Sequence, residues 1–469
     1  MIGSFLGGLS ARIFLVSLPT VANGLGTDIL GISWALIAYQ LAGISLSVVF
    51  GRLGDLYSRY WIYGLGFVVM TVFSFLCGMA ENVLQLIIFR SFQGVGAAMS
   101  GSAARVLAME AMPEGSEGKA NGFMTMAFHS GFFVGPPFGG LIIDLLNWRW
   151  TFFLLVPIGV VGIILTALRG EDITRRGVRV DRGRRLSIDY VGAALLIVLS
   201  IMLILLLDRR GAEFVGLRQR RALAFAFAGT LLGFVIHESK TAAPVVNFAL
   251  FRIRMFAFSI LSLFIIALTY SLLAFVMPFY LQEVLHLSPS FMGLIYLASP
   301  VFTISLATVS GQLTDRVGPR LPASLGVLIT ALAFLLGATL RASSHWILPI
   351  AMMALLGLGS GFFNTPNQTA IIGSVPKEHR GFAAGMVNTM FGLGNLLGIS
   401  LGGLLLTVMF QYYSGIPGAT PNPEHPVAFV SAMNATYLAC LGLSLIALFS
   451  SLMRGGKKIE AARAVAPEA

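Results

Sequence analysis

The feature that most constrains this chain is a stretch it contains twice. Residues 113–140 read PEGSEGKANGFMTMAFHSGFFVGPPFGG, and residues 376–403 read PKEHRGFAAGMVNTMFGLGNLLGISLGG. Aligned without a gap, Pro113 falls on Pro376, 263 positions later, and Gly131, Gly135 and Gly139 fall on Gly394, Gly398 and Gly402. The same spacing pairs Gly94 and Gly96 with Gly357 and Gly359. A second echo, 260 positions apart, sets GRLGDLYSRY from Gly51 against GQLTDRVGPR from Gly311. Both copies lie inside long apolar runs. A repeat on this scale implies two related helical bundles in a membrane, an architecture common among carriers.

Hydrophobic residues make up 57% of the chain and charged residues 11%, which excludes an ordinary soluble domain. Stretches of about 20 apolar residues, enough to span a hydrocarbon core as a helix, recur along nearly the whole length. They predict helices near 3–22, 32–51, 61–80, 83–107, 122–143 and 149–169, then 189–207 and 221–237. Six more are expected near 256–279, 290–311, 321–341, 346–370, 381–411 and 427–453. The expected fold is therefore an all-α integral membrane protein: two pseudo-symmetric six-helix bundles with two helices inserted between them, about 14 spans. The expected divisions are 1–169 for the first bundle and 170–255 for a basic linker plus the inserted pair. The second bundle takes 256–453, and a short cytoplasmic tail takes 454–469. A short amphipathic lead-in at the membrane surface is expected over 244–255.

The net charge of +11 reads as cationic cytoplasmic loops rather than a nucleic-acid footprint. With both termini cytoplasmic, about 22 Lys and Arg fall inside and 7 outside, with Arg12 and Arg90 in the membrane. The loop from Asp208 to Arg221, with five arginines, is external on this reading and opposes the trend. An alternative with twelve spans lays residues 189–237 on the cytoplasmic face. The first apolar run begins almost at Met1 without a basic leader, so it is read as the first span and not as a cleaved signal. Cys77 and Cys440 lie in apolar runs and suggest no disulfide or metal site; the six histidines have no metal-ligand spacing. No nucleophile has a base at a recognisable spacing, so an enzyme is not expected. Nor is a metal or cofactor.

Two loops and two helices carry the candidate sites. Gly51, Gly54, Asp55 and Arg59 lie in the loop after helix 2, and Gly311, Asp315, Arg316, Gly318 and Arg320 lie in its counterpart. Glycine permits the tight turn, and an acid there can cap a helix or pair with a cation, which makes this a candidate cytoplasmic gating latch. In helix 5, Gly131, Gly135 and Gly139 clear one face for close helix approach, and Pro136-Pro137 deny backbone donors. A close-packed, bent helix there suits a pivot. Arg90 is a cation inside an apolar span, an expensive placement that usually marks a cavity or a partner; its counterpart in the repeat is Met353. Gln93 lies one turn on. His129 in helix 5 titrates in the useful range, and Glu81 and Asp144 are the other protonatable groups of the first bundle.

These residues resemble the major facilitator superfamily, in its fourteen-span drug/proton antiporter branch, whose own architecture is two related halves. GRLGDLYSR is similar to the loop 2–3 motif of that family, with Leu56 and Ser58 in place of its basic residue and glycine. Arg90, Gln93, Gly94 and Gly96 match the fourth-helix pattern; Gly131, Gly135, Pro136, Gly139 and Gly140 match the fifth-helix antiporter motif. Trp148-Arg-Trp150 followed by Val156-Pro157-Ile158-Gly159 resembles the opening of the sixth helix. The resemblance implies proton-driven efflux of amphipathic compounds by alternating access, from the bacterial cytoplasmic membrane. The proton gradient supplies the energy, lipid is the surrounding partner, and no oligomer is required. It also places Arg105 within reach of Asp55.

One departure points elsewhere. Similar antiporters carry an acid in helix 1, about nine residues before a Leu-Pro-Thr that here is Leu18-Pro19-Thr20; that position is Ser10. Arg12 stands two places later, and with Arg90 it would form a cationic vestibule. This supports an alternative in which the cargo is an anionic metabolite or an acidic-headgroup lipid, without proton coupling. A non-transporting receptor or scaffold is the remote third reading. In the second bundle, Tyr270, Phe275, Phe279 and Tyr296 offer apolar and aromatic surface for a greasy ligand.

Overall fold

The computed structural model describes residues 1–53, 59–110, 117–175, 190–207, 217–241, 248–376 and 380–455. Among them, every long element is an α-helix and no strand occurs. Fourteen helices have eighteen residues or more: α1 Ile2–Gly24, α2 Ile29–Leu53, α3 Arg59–Gly78, α4 Val83–Glu110, α5 Glu117–Leu145, α6 Leu155–Arg175, α7 Tyr190–Leu207 and α8 Leu217–Lys240. Then come α9 Arg254–Phe279, α10 Pro289–Val317, α11 Arg320–Gly337, α12 Ile347–Gly373, α13 Arg380–Ser414 and α14 Pro426–Leu452. Within the described residues, twelve of them contain a stretch long and apolar enough to cross a membrane; α2 and α7 fall outside that set. Twelve candidate spans are therefore established among the described residues.

Local chemistry explains the interruptions. The expected helix over 149–169 is broken into a single turn, Trp150–Phe153, and α6, because Pro157 has no N–H to give to the Phe153 carbonyl. Near the end of α9, Pro278 likewise lacks its donor, and the helix widens into a π-helical turn over Tyr280–Val284. Of the expected surface lead-in over 244–255, residues Phe248–Arg252 form a 3-10 turn, and residues 244–247 lie outside the described residues. α10 ends on Gly318, whose φ of +83° is open to glycine without strain, and whose N–H bonds the Thr314 carbonyl at 2.9 Å.

The chain divides into two compact units. The first comprises Met1–Val245 with Leu281–Leu294, and the second Val246–Tyr280 with Ile295–Ala469. In the first unit α1 packs on α5, α2 and α3 pack on α4, and α3 packs on α6; the inserted α7 and α8 pack on each other, and α7 rests on α2. In the second unit α9 packs on α13 and α14, and α11 on α12 and α14. The most central spans are α1 and α9, of which 72% and 83% are buried; α8 is peripheral, with 11%.

Glycines set these approaches. A Cβ at Gly131 would sit 2.6 Å from Leu9 N, and one at Gly139 would sit 2.8 Å from Ile13 Cγ1, both on α1. In the second unit, a Cβ at Gly394 would sit 2.8 Å from the Ala267 Cβ, on α9. Gly94 would strike the Tyr39 carbonyl of α2, and Gly357 the Ser299 carbonyl of α10. The glycines repeated at 263 positions thus serve the same kind of backbone-to-backbone contact within each unit.

Candidate functional site

The first unit holds a fully buried arginine. α4 places Arg90 against α1 and α2, where its guanidinium carbon lies 4.2 Å from the Tyr39 ring centroid and 4.5 Å from that of Phe14. Phe152 closes a third side at 5.9 Å. Aromatic faces attract a cation and shed little water in doing so. Nη1 donates to Gln93 Oε1 at 2.6 Å, Gln93 Nε2 donates to Ser74 Oγ at 2.7 Å, and Ser74 Oγ donates to the Met70 carbonyl at 2.6 Å. That chain runs from α4 to α3 and locks the arginine's rotamer. Longer contacts of 3.4 Å join Nη1 to Ser10 Oγ and Nε to the Ala35 carbonyl, and Nη2 has no hydrogen-bond partner.

The electrostatics are unbalanced. Among the described residues, the ionisable groups acting on Arg90 are the thiol of Cys77 and the phenol of Tyr39, and no carboxylate is among them. Ser10 is fully buried beside the guanidinium. A buried cation without a counter-ion is costly, so the site has room in its charge balance for one negative group.

Arg12 is placed differently. Its guanidinium lies 4.2 Å from the Phe132 ring centroid on α5, and its Cβ is 3.0 Å from where a Cβ would stand at Gly135. Arg12 thus belongs to the α1–α5 packing face, whereas Arg90 meets α1 through Ser10 and Phe14; the two arginines sit on different rings. His129 lies on α5 and Arg105 on α4, with side chains outside the described residues. Gly51, expected in a loop, lies in the last turn of α2, and Arg59 begins α3, while Gly54 and Asp55 lie outside the described residues. In the second unit Gly311 lies on α10, and Asp315, Arg316 and Arg320 are exposed around Gly318. Pro136 and Pro137 lie within a continuous α5.

Residues 281–294 form a polar strap across the first unit. Gln282 Nε2 donates to the Val16 carbonyl at 2.9 Å, and Thr20 Oγ1 donates to Gln282 Oε1 at 3.1 Å. Asn23 Nδ2 donates to Glu283 Oε1 at 2.8 Å, and the Ser290 N–H donates to Asp144 Oδ2 at 2.9 Å. Asp144 therefore caps the start of α10 from another helix. Gly140 packs its open face against Pro289, so this member of the fifth-helix motif serves the strap while Gly131 and Gly135 serve α1. Sequence reasoning missed Tyr39, Phe14 and Ser74 around Arg90, and Gln282 in the strap. Only the period of α4, which puts Arg90 and Gln93 one turn apart, hinted at any of them.

In the second unit, Phe275, Phe279 and Tyr296 are buried. Tyr270 donates its hydroxyl to the Leu356 carbonyl at 2.6 Å. Met353, the counterpart of Arg90, is a buried apolar residue.

A family model described as Major Facilitator Superfamily matches residues 1–237 and 259–463. A riboflavin transporter of Clostridioides difficile (strain 630) is 27% identical over 95% of this chain and 94% of its own length. A multidrug transporter of Bacillus subtilis (strain 168) is 28% identical over 89% of this chain and 77% of its own. Among solved structures, a peptide transporter in complex with sulfate aligns with a TM-score of 0.68 at 16% identity, covering 97% of this chain and 94% of that one. A bacterial homologue of the human lysosomal transporter Spinster aligns at 0.64 and 15%, covering 96% and 94%. At such identities the structural likeness speaks for the fold alone.

Proposed function

This chain belongs to the Major Facilitator Superfamily, and from that membership we propose that it is a proton-coupled exporter of amphipathic organic compounds, working by alternating access. It is a transporter and not an enzyme, and a multi-pass protein of the bacterial inner membrane. Relatives named for multidrug and riboflavin transport support a cargo with an aromatic or amphipathic body. The observation that carries the reading is Arg90: a guanidinium clamped at membrane depth between Tyr39 and Phe14, with one nitrogen left open. A charge this expensive serves as cargo contact or as the electrostatic control of a proton site. No cofactor enters the scheme; the proton gradient is the energy source, and α2 and α7 complete fourteen spans.

A second reading is favoured by Ser10. With no acid opposite Arg90, the negative group comes from the cargo, an anionic metabolite or an acidic-headgroup lipid. Proteoliposomes loaded with a pH-sensitive dye separate the two. Cationic, neutral and anionic amphiphiles are added in turn to wild type and to Arg90→Ala. Proton movement triggered by cations supports the drug exporter. Movement triggered only by anions and lost with Arg90 supports the anion carrier. Labelled compounds that cross with no proton movement remove proton coupling from either reading.

A further inference from the structure

A second arginine is buried far along the chain from the first, and unlike Arg90 it has no hydrogen-bond partner among the described residues. Arg454 lies two residues beyond the end of α14, where an arginine ordinarily reaches a helix carbonyl or water. Here it does neither: it is 1% exposed, and Nε, Nη1 and Nη2 all lack a hydrogen-bond partner. Its guanidinium carbon lies 5.8 Å from the ring centroid of Phe363 on α12. One turn further along the same face of that helix comes Asn367, fully buried, with both amide atoms unpaired. Arg254, exposed at the start of α9, donates Nε to the Met453 carbonyl at 2.7 Å, which brings a second guanidinium to the residue beside Arg454.

Among the described residues, no acid is recorded as meeting these donors. Burial alone pushes the Arg454 guanidinium down to about 9, and no neighbouring charge counters it. Leaving such a group unpaired is far costlier than pairing it. A planar guanidinium with a nearby amide and a second guanidinium matches an anion with several oxygens. The site lies just past the last apolar residue of α14, at headgroup depth, on the side the basic loops assign to the cytoplasm. We propose that Arg454, Asn367 and Arg254 form a phosphate-binding site in the second unit: Arg454 and Asn367 hold the oxygens from within, and Arg254 guards the exposed rim. A lipid phosphodiester and free inorganic phosphate share this chemistry.

The test uses the full chain in micelles of dodecyl maltoside, which carries no phosphate, with phosphatidylglycerol or inorganic phosphate titrated in. Native mass spectrometry reads retained lipid, and thermal unfolding reads stabilisation. For wild type, a retained phosphatidylglycerol and an upward shift of several degrees are expected; Arg454→Gln loses both, with apparent affinity down at least tenfold. The same shift from inorganic phosphate alone also supports the site and names the free ion as its source. In phosphate-free micelles, Arg454→Gln is expected to be at least as stable as wild type, because it removes an unpaired buried charge; a merely structural arginine would give the opposite. Should Arg454→Gln fail to fold, Arg454→Lys carries the test, keeping the charge but losing the fork and weakening retention. Equal retention in wild type and variant, or a wild type indifferent to both probes, overturns the proposal.

Discussion

Replacing Gln93 by alanine removes the 2.6 Å bond from Arg90 and the 2.7 Å bond to Ser74 together. A hydrogen bond to a charged group contributes about 1.5–3 kcal/mol, so Gln93→Ala is expected to lower the transport rate at least tenfold while the protein still inserts; initial-rate flux against surface-normalised protein measures it. Ser10→Asp adds a carboxylate beside Nη1 and fills the open place in the charge balance. If the cargo is anionic, the variant loses its transport; if cationic, transport is kept or improved. Competition between charged amphiphiles in proteoliposomes reads the difference. For Arg454 the sign of the pH effect is fixed. Its folded value of about 9 lies below the ordinary 12.5, so between those values the unfolded chain holds the extra proton, and stability rises as pH rises through about 9. The unfolding temperature of wild type relative to Arg454→Gln, in phosphate-free micelles, should climb above pH 9.

Helix packing sorts the glycines by what a methyl group would meet. At Gly357 it would strike the Ser299 carbonyl, which is backbone and cannot turn aside. Gly357→Ala is therefore expected to destabilise the second unit by about 1–3 kcal/mol through overpacking. On α8, Gly229 has nothing within 4 Å, and Gly229→Ala is expected to be neutral or stabilising by up to about 1 kcal/mol, since alanine is the better helix former. Unfolding temperatures in one detergent test the pair, and similar losses at both would show that the glycine contacts are not what hold the helices. Much of this level was legible beforehand. The helix-5 stripe announced a packing face, because glycines four apart can share a face only on a helix. Which partner it met was not legible: Gly131 and Gly135 turned out to face α1, and Gly140 the strap.

At the scale of the whole molecule, the strap joins residues remote in sequence. Asp144 caps α10 through Ser290, and Gln282 bridges Thr20 and the Val16 carbonyl. Asp144→Asn removes a charged acceptor at a helix start, and hydrogen exchange across 281–294 should accelerate about tenfold; unchanged exchange would mean that apolar packing alone holds the segment. Apolar runs of spanning length, the repeat at 263 positions and the basic loops determine by themselves that this is a helical membrane protein, and its loop and helix motifs resemble one carrier family. That follows because a membrane requires every backbone polar group to be satisfied within a helix, and such a requirement is written in local composition. The neighbours of a buried charge are not written there. Tyr39, Phe14 and Ser74 come to Arg90 from three helices, and Phe363 comes to Arg454 from 91 residues away. Only tertiary packing decides which arginine finds a partner and which waits for one, because the cost of a buried charge depends on what surrounds it and not on where it stands in the chain.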